Sequence, residues 1–406
     1  VPERFVEPVD AAGVAAALQS AAAQNLAVVV RGGGTKSGAR SASRFGTLDT
    51  SLTPQPEAPP AEMLLSTARL TAGIDHVAGD LVATVPAGAT LDAVNTVLCR
   101  ERQWLPLDPP RSNRATIGGI IATNDSGPRR HRFGTPRDLI IGVEIALVNG
   151  KTARAGGRVV KNVAGYDLSK LLCGSLGSLA VITSATFKLS PVAPHSQTLV
   201  ATVGDIRHLG ELARSVAGLP VAPTAIELQS PPHRLLIRFE TTEQAARRQS
   251  DLAHAVCVER GATCTIVSGR AEADAWRAHE SRVFSSEGTI LKLAILPTDV
   301  ADILERIRTL ATERRVEYEV IGRAALGIVL LRLSGDSDAQ AAIVTELRLE
   351  ATGRGGSAVL LSAPSALLRG VGRWGPPSDA APVMRAVKQQ FDPRNTLNPG
   401  IGAWES

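Results

Sequence analysis

The sequence predicts an α+β protein of two domains followed by a tail. Its 406 residues exceed what one ordinary hydrophobic core serves. Residues 1–190 set short strand-type runs between glycine-rich breaks, whereas from residue 193 longer helical patterns alternate with strands. After residue 391 no periodicity remains, as in a segment that packs on something already built. The expected division is 1–192, 193–375 and a C-terminal segment 376–406.

The elements follow in order. Residues 10–23 form an amphipathic helix, with Asp10 as N-cap and Val14 and Leu18 on one face. Residues 27–30 are a strand that runs into Arg31-Gly32-Gly33-Gly34-Thr35-Lys36-Ser37-Gly38. A strand feeding a glycine loop is where α/β folds hold phosphates. Three successive glycines exclude a regular element there, since each costs about 1 kcal/mol in a helix relative to Ala. The spacing is not that of a Walker loop, and no helix follows to make it a dinucleotide-binding Gly-x-Gly-x-x-Gly turn. Residues 54–62 are a proline-rich loop, 81–85 a strand, and Thr90 caps a helix running to about residue 101. Residues 139–148 form a strand, and Asn149-Gly150 turns it as a hairpin into 151–154. Residues 167–173 make one or two helical turns closed by Gly174, and 179–189 are an alternating strand.

The second domain reads strand 199–203, helix 205–217, strands 225–228 and 235–239, helix 241–260, strand 263–267. That βαββαβ order is the ferredoxin-like unit. It recurs as strand 290–295, helix 298–312, strands 317–321 and 328–333, helix 336–351, strand 358–361, with a helix near 272–284 between the copies. Two such units side by side make one antiparallel sheet with helices on one face. Residues 381–391 form a last helix.

Composition narrows the function. The net charge is +5, carried by scattered arginines with no basic stripe interleaved with aromatics, which speaks against nucleic acid as partner. The four cysteines, Cys99, Cys173, Cys257 and Cys264, contain no Cys-x-x-Cys pair and suit a reducing compartment rather than a disulfide framework or an iron–sulfur cradle. No apolar run approaches the ~20 residues of a membrane span, so a cytoplasmic location is expected. The seven histidines stand apart, with no pair at metal-ligand spacing, so no metal site is expected. They read as surface or locally bonded residues, apart from His131, which lies inside the stretch described next.

From Leu107 to Pro191, small polar and glycine clusters recur wherever apolar runs stop: Asp108-Pro109-Pro110, Ala115-Thr116-Ile117-Gly118-Gly119, Thr123-Asn124-Asp125-Ser126-Gly127, Phe133-Gly134-Thr135-Pro136-Arg137-Asp138, Lys161-Asn162-Val163-Ala164-Gly165-Tyr166-Asp167-Leu168, and Gly174 through Thr183. Any one of these glycines can simply serve a turn. Together they are the pattern of a backbone lying against a large phosphate-bearing ligand.

These residues resemble the FAD-binding domain of the vanillyl-alcohol oxidase superfamily, also called PCMH-type. Arg31–Gly34 is similar to its first pyrophosphate loop, 109–127 to its second FAD segment, and 165–168 with 174–183 to the flavin-binding run before the last strand of the domain. Asn398-Pro399-Gly400 resembles a terminal Asn-Pro-Gly that returns to the flavin. Within the superfamily, residues 115–120, 126–130, 159–168 and 392–400 resemble the E-subunit branch of bacterial glycolate oxidase (glycolate dehydrogenase). The resemblance implies a PCMH-type fold, FAD as cofactor, and a complex with a catalytic flavoprotein paralogue and an iron–sulfur subunit. That complex would act on a small 2-hydroxy acid and meet the inner face of the membrane only peripherally, through its partners.

The residues then take expected roles. Gly32, Gly33, Gly34, Thr35 and Lys36, with Thr116, Ile117, Gly118 and Gly119, offer backbone N–H groups to pyrophosphate. Residues 179–182, with Val181 and Ile182, offer an apolar slot for adenine beside Gly177. Arg137, Lys161, Asn162, Tyr166 and Asn398 are candidates for donors near the flavin ring. Arg31, Pro109, Thr123, Asn124, Ser126, Gly127 and Gly134 complete the expected cofactor surface. Arg137-Asp138 reads equally as a structural ion pair, and Lys161 and Asn162 equally as caps of the helix after them. Covalent members of the superfamily often carry His after the Arg-x-Gly-Gly loop, where this chain has Thr35, so the expected FAD is noncovalent. Catalytic 2-hydroxy-acid members carry a His-x-Gly-Asp-Gly-Asn-like run, which supplies a base for the hydroxyl proton. Residues 320–327 here contain neither His nor acid, so the catalytic base is unassigned. A self-contained dehydrogenase of D-lactate or glycolate is the alternative to a subunit role.

Overall fold

A computed structural model describes residues 4–35, 40–43, 46–49, 62–158, 167–284 and 288–404. The chain divides into two compact units, one of residues 1–127, 133–192 and 376–406 and one of residues 128–132 and 193–375.

The first unit opens with β1 (Arg4–Val6), α1 (Ala11–Ala23), β2 (Val28–Arg31) and β3 (Met63–Ser66). These strands form a parallel sheet in the order β1-β3-β2. Asp10 caps α1 by accepting from the Gly13 N–H at 2.7 Å, and Val14, Leu18 and Ala21 turn inward at helical spacing. A second, antiparallel sheet follows from β4 (Asp75–Val77), β5 (Val82–Pro86), β6 (Ile140–Ala146), β7 (Thr152–Gly156) and β8 (Val181–Lys188), ordered β7-β6-β8-β5-β4. The Asn149-Gly150 turn joins β6 to β7 as a hairpin, but not in the type I′ form that the dipeptide signals, since only Gly150 takes a positive φ, +79°. Thr90 caps α2 (Leu91–Leu98).

Several short helices were not expected, among them Arg130–Phe133, Pro136–Leu139 and Ser365–Val371, and another shapes the site. Residues Ile117–Thr123 form α3, because Ile117, Ile120 and Ile121 at i, i+3 and i+4 are all fully buried in the core. That burial overrides the poor helix propensity of Gly118-Gly119. The same core holds Leu397 from the tail, which bridges Val28 in parallel.

The second unit contains β9 (His195–Thr202), α4 (Ile206–Ala217), β10 (Ala225–Ser230), β11 (Arg234–Thr241), α5 (Glu243–Glu259) and β12 (Thr263–Ser268). Then come α6 (Gly269–Phe284), β13 (Thr289–Ala294), α7 (Val300–Glu313), β14 (Glu317–Arg323), β15 (Ile328–Ser334), α8 (Ser337–Gly353) and β16 (Ser357–Ser362). The two βαββαβ units build one eight-stranded antiparallel sheet, ordered β12-β9-β11-β10-β14-β15-β13-β16. They meet where Leu228, Gln229 and Ser230 pair with Gly322, Ile321 and Val320. One sheet face packs Leu199, Leu228, Ile237, Leu293 and Leu331 against α4, α5, α7 and α8. The opposite face carries Ser196, Thr198 and Glu227, and α6 lies on it. Helix α9 (Ala381–Phe391) belongs to the first unit.

Candidate functional site

A cavity of about 130 Å³ opens in the first unit where β2 ends. Sites that enclose a whole drug-sized ligand run to ~300–1,000 Å³, so this cavity takes one part of a dinucleotide. Its polar end is Arg31 with Gly32, Gly33, Gly34 and Thr35, faced by Thr67, Thr116, Gly118, Gly119 and Thr123. Its apolar end is Val29, Val30, Leu64, Ala122, Leu176, Ala180, Val181, Ile182, Pro399 and Ile401, with Gly177 and Asn398 at the rim. Arg31 is the one charged side chain among the described lining residues, and no carboxylate joins it. One cation, several hydroxyls and an apolar wall fit a diphosphate joined to an aromatic ring, the groups an FAD molecule presents.

The local bonds explain the shape. The Thr67 N–H and hydroxyl both donate to the Arg31 carbonyl, at 2.8 and 3.3 Å, and turn the chain out of β2 into the glycine loop. The Gly33 N–H points to the Thr116 hydroxyl at 3.4 Å. Two of the expected pyrophosphate donors are engaged elsewhere: the Ile117 N–H donates to Ala89 at 2.9 Å and the Gly118 N–H to Ala87 at 2.8 Å. Ile117 is fully buried in the core rather than in the lining, since the helix turns it inward. Gly119 faces open space, where an added Cβ would meet only the Thr116 hydroxyl at 3.2 Å.

Asn398 lies in the lining, and both ends of its amide serve the backbone. Its Oδ1 accepts from the Val30 N–H at 2.9 Å and its Nδ2 donates to the Leu176 carbonyl at 2.8 Å. It is a brace between two walls of the cavity. Gly177, at φ +69°, makes room for that amide, because a Cβ there would stand 2.8 Å from Nδ2.

The structure gathers Arg31, Gly32, Gly33, Gly34, Thr35, Thr116, Gly118, Gly119, Thr123, Gly177, Val181, Ile182 and Asn398 at one cavity. Pro109, Asn124, Ser126, Gly127, Gly134 and Arg137 lie off it. Gly127 lacks a side chain because the Asp108 carbonyl approaches to 1.8 Å of where a Cβ would be, and Gly134 makes way for the Asp138 carboxylate. Asn124 ends α3 in the left-handed conformation. Asp138 caps its own short helix through the Thr135 N–H and hydroxyl, at 2.7 and 2.9 Å, and Arg137 is exposed. Lys36, Lys161, Asn162 and Tyr166 fall outside the described residues. Sequence reasoning assigned no role to Val29, Val30, Leu64, Thr67, Ala122, Leu176 or Ile401; Ala122 and Leu176 lie inside the stretches 109–127 and 174–183, whereas Leu64 and Thr67 carry no motif and reach the cavity only through the fold.

The second unit holds a buried polar cluster. Glu227, fully buried on β10, meets His279 Nε2 of α6 at 3.0 Å and Arg323 Nε of β14 at 3.4 Å. His279 is 1% exposed and its Nδ1 lies 3.3 Å from Gln229. Nearby, Glu272 accepts from Ser196 and Thr198, both at 2.8 Å, and pairs with Arg238 at 3.1 Å. Arg129, from the 128–132 strap, forks onto Glu240 at 3.0 and 2.7 Å. His131, on the same strap, has a buried Nδ1 without a hydrogen bond. Burial pushes its pKa down, opposed by Glu227 and assisted by Arg132. Chemically, a histidine on a carboxylate can hold a proton and a guanidinium beside it can hold an acid. Here these groups are closed on one another. Glu227, an acid inside the apolar run 225–228, was the one sequence signal of the cluster. Along α5, a wider groove carries Glu243 and Arg247, already paired with each other, and nothing there resembles a cofactor cradle. No helix among the described residues is long and apolar enough to cross a membrane.

Comparison with known proteins agrees with this geometry. Residues 2–156 match the FAD binding domain family, and residues 377–401 match the C-terminal domain of FAD linked oxidases. The chain is 28% identical over 368 residues to glycolate oxidase subunit GlcD of Bacillus subtilis, covering 79% of this chain and 75% of that one. It is 28% identical over 435 residues to a D-lactate dehydrogenase of Archaeoglobus fulgidus, covering 97% and 90%. It is 29% identical over 329 residues to glycolate oxidase subunit GlcE of Escherichia coli, covering 79% and 81%. Among solved structures, alkyldihydroxyacetonephosphate synthase superposes with a TM-score of 0.71 at 16% identity, over 97% of this chain and 76% of that one, and shares the fold. The chain therefore carries an FAD-binding domain of PCMH type, has FAD as its cofactor, and is an FAD-linked oxidoreductase.

Proposed function

We propose that this chain is the FAD-binding subunit of a heteromeric dehydrogenase of a small 2-hydroxy acid such as glycolate, working beside a catalytic flavoprotein paralogue and an iron–sulfur protein. One observation carries the subunit reading: His279, Glu227 and Arg323, which hold the proton-accepting and acid-binding chemistry of the second unit, are 1%, 0% and 5% exposed and bonded to one another. The relatives named for glycolate oxidase subunits support the substrate class and the heteromeric setting. FAD, when bound, supplies the electron-accepting ring. In the chain itself, Arg31 balances diphosphate charge, the 33–35 loop presents its backbone, Gly119 lets the chain approach it, and Val181 and Ile182 form the slot for adenine. Thr35 offers no nitrogen for a histidyl link, so the cofactor is noncovalent.

The second reading is a self-contained dehydrogenase, favoured by the presence of a His–carboxylate pair and a guanidinium in one cluster. One experiment separates the two. The chain is purified alone, its yellow colour is released into an acid supernatant, and dye reduction is measured with glycolate and with D-lactate. The subunit reading expects released FAD, no turnover, and recovery of both partner proteins with the tagged chain from its native cell. Turnover on the order of 1 s⁻¹ or faster, an ordinary enzymatic rate, would replace it with the second reading. Colour that stays in the pellet would end the noncovalent assignment.

A further inference from the structure

Helix α9 turns one lysine inward. Lys388 is 6% exposed, and its Nζ donates to the Ser178 carbonyl at 2.9 Å, the Leu397 carbonyl at 2.9 Å and the Asp392 carboxylate at 2.7 Å. Asp392, 1% exposed, accepts from the Thr396 N–H at 3.0 Å and the Leu397 N–H at 2.7 Å. A buried ion pair seldom stabilises a fold more than apolar packing of the same volume does, so the geometry it imposes matters more than its energy. The pair folds residues 392–397 into a tight turn and ties that turn to Ser178. The turn ends at Asn398, which joins the Val30 N–H to the Leu176 carbonyl, one on each side of the cavity.

We infer that the Lys388–Asp392 pair is a latch for the cofactor and that Lys388 is a positioning residue for FAD. With the tail seated, Asn398 fixes the gap between the end of β2 and the 176–182 segment. With FAD in that gap, both walls are held and the tail is kept down. Seating and binding are then one coupled equilibrium, and each strengthens the other by the same factor. The inference rests on the assignment of the cavity to FAD.

The test is hydrogen exchange on the full chain with and without FAD, together with FAD titration of Lys388→Met and Lys388→Arg. In the wild type, FAD should slow exchange in residues 388–401 as well as in 28–35. Lys388→Met should weaken FAD binding on the order of ten- to a hundredfold, the range of ordinary coupling between sites, with exchange in 193–375 unchanged. Lys388→Arg keeps the charge and should recover part of the loss. If FAD protects 28–35 and leaves 388–401 unchanged, or if Lys388→Met binds FAD like the wild type, the latch is refuted. Should Lys388→Met fail to fold, the wild-type exchange comparison decides alone. Protection of neither segment would refute both the cavity assignment and the latch that rests on it, whereas loss at the tail alone refutes only the latch.

Discussion

Gly33 and Gly119 should answer differently to the same substitution. A Cβ at residue 33 would stand 1.8 Å from the Arg114 carbonyl, so Gly33→Asp breaks the packing of the loop itself. At residue 119 only the Thr116 hydroxyl is near, at 3.2 Å, so aspartate fits and sends its carboxylate into the cavity. Beside a diphosphate, like charges ~4 Å apart cost roughly 4 kcal/mol at an effective dielectric constant near 20. Gly119→Asp should therefore keep a native circular dichroism spectrum and purify colourless, whereas Gly33→Asp should lose both. A yellow Gly119→Asp protein would show that the diphosphate lies elsewhere. Glu240 gives a second test. Burial pushes its pKa up, but the hydrogen bonds and charge of Arg129, with help from Arg238, outweigh this and hold it below the ordinary value. Its folded pKa is depressed, so its stabilisation is complete above the ordinary carboxylate range near ~4.3 and is lost as pH falls through the folded value. The gap in urea midpoint between wild type and Glu240→Gln should thus be open at neutral pH and close in acid. A gap independent of pH would remove the carboxylate from the account.

At the scale of elements, the tail strut is the piece to probe. Asn398→Ala removes the hydrogen bonds to the Val30 N–H and the Leu176 carbonyl, each worth about 0.5–1.5 kcal/mol. The variant should melt several degrees lower and release FAD more readily, read by thermal unfolding and flavin fluorescence. An unchanged melting curve would make the strut ornamental. Elements were legible where local signals agreed with tertiary need. Asp10 and Thr90 cap the helices they were expected to cap, and the two βαββαβ units form one antiparallel sheet, of eight strands. Helix α3 was hidden because Gly118-Gly119 reads as loop, while the deciding signal, Ile117 with Ile120 and Ile121, is short and matters only once a core exists to receive it. Lys388 was hidden for the opposite reason: a lysine in an amphipathic helix reads as solvated until Ser178 and Leu397 close over it. The glycine loop of the cavity was legible, and so was the part of its apolar wall at Val181 and Ile182; Leu64 was not, because it looks like any other core leucine.

On the scale of the whole molecule, the polar cluster and the cavity belong to different units, so they should fail separately. Glu227→Leu removes the carboxylate that His279 and Arg323 meet, and breaking a buried pair typically costs 3–5 kcal/mol, here taken as roughly 4. It should lower protection against exchange across 193–375 with FAD content unchanged. A colourless Glu227→Leu protein would show that the two features depend on each other. The way the chain is threaded has a further consequence for its making. The first unit needs Val28 and Leu397 side by side, whereas the second unit is nearly continuous between residues 193 and 375. During synthesis at ~5–20 residues per second, about 10–40 s pass between the emergence of residue 192 and that of the turn that completes the flavin pocket. For that interval the nascent first unit displays an unfinished core to ribosome-associated chaperones, while the second unit is already able to close. A premature stop codon between residues 376 and 397 would leave the second unit attached to a first unit that lacks Leu397 and Asn398 and can never be finished, a product for the cell's proteases.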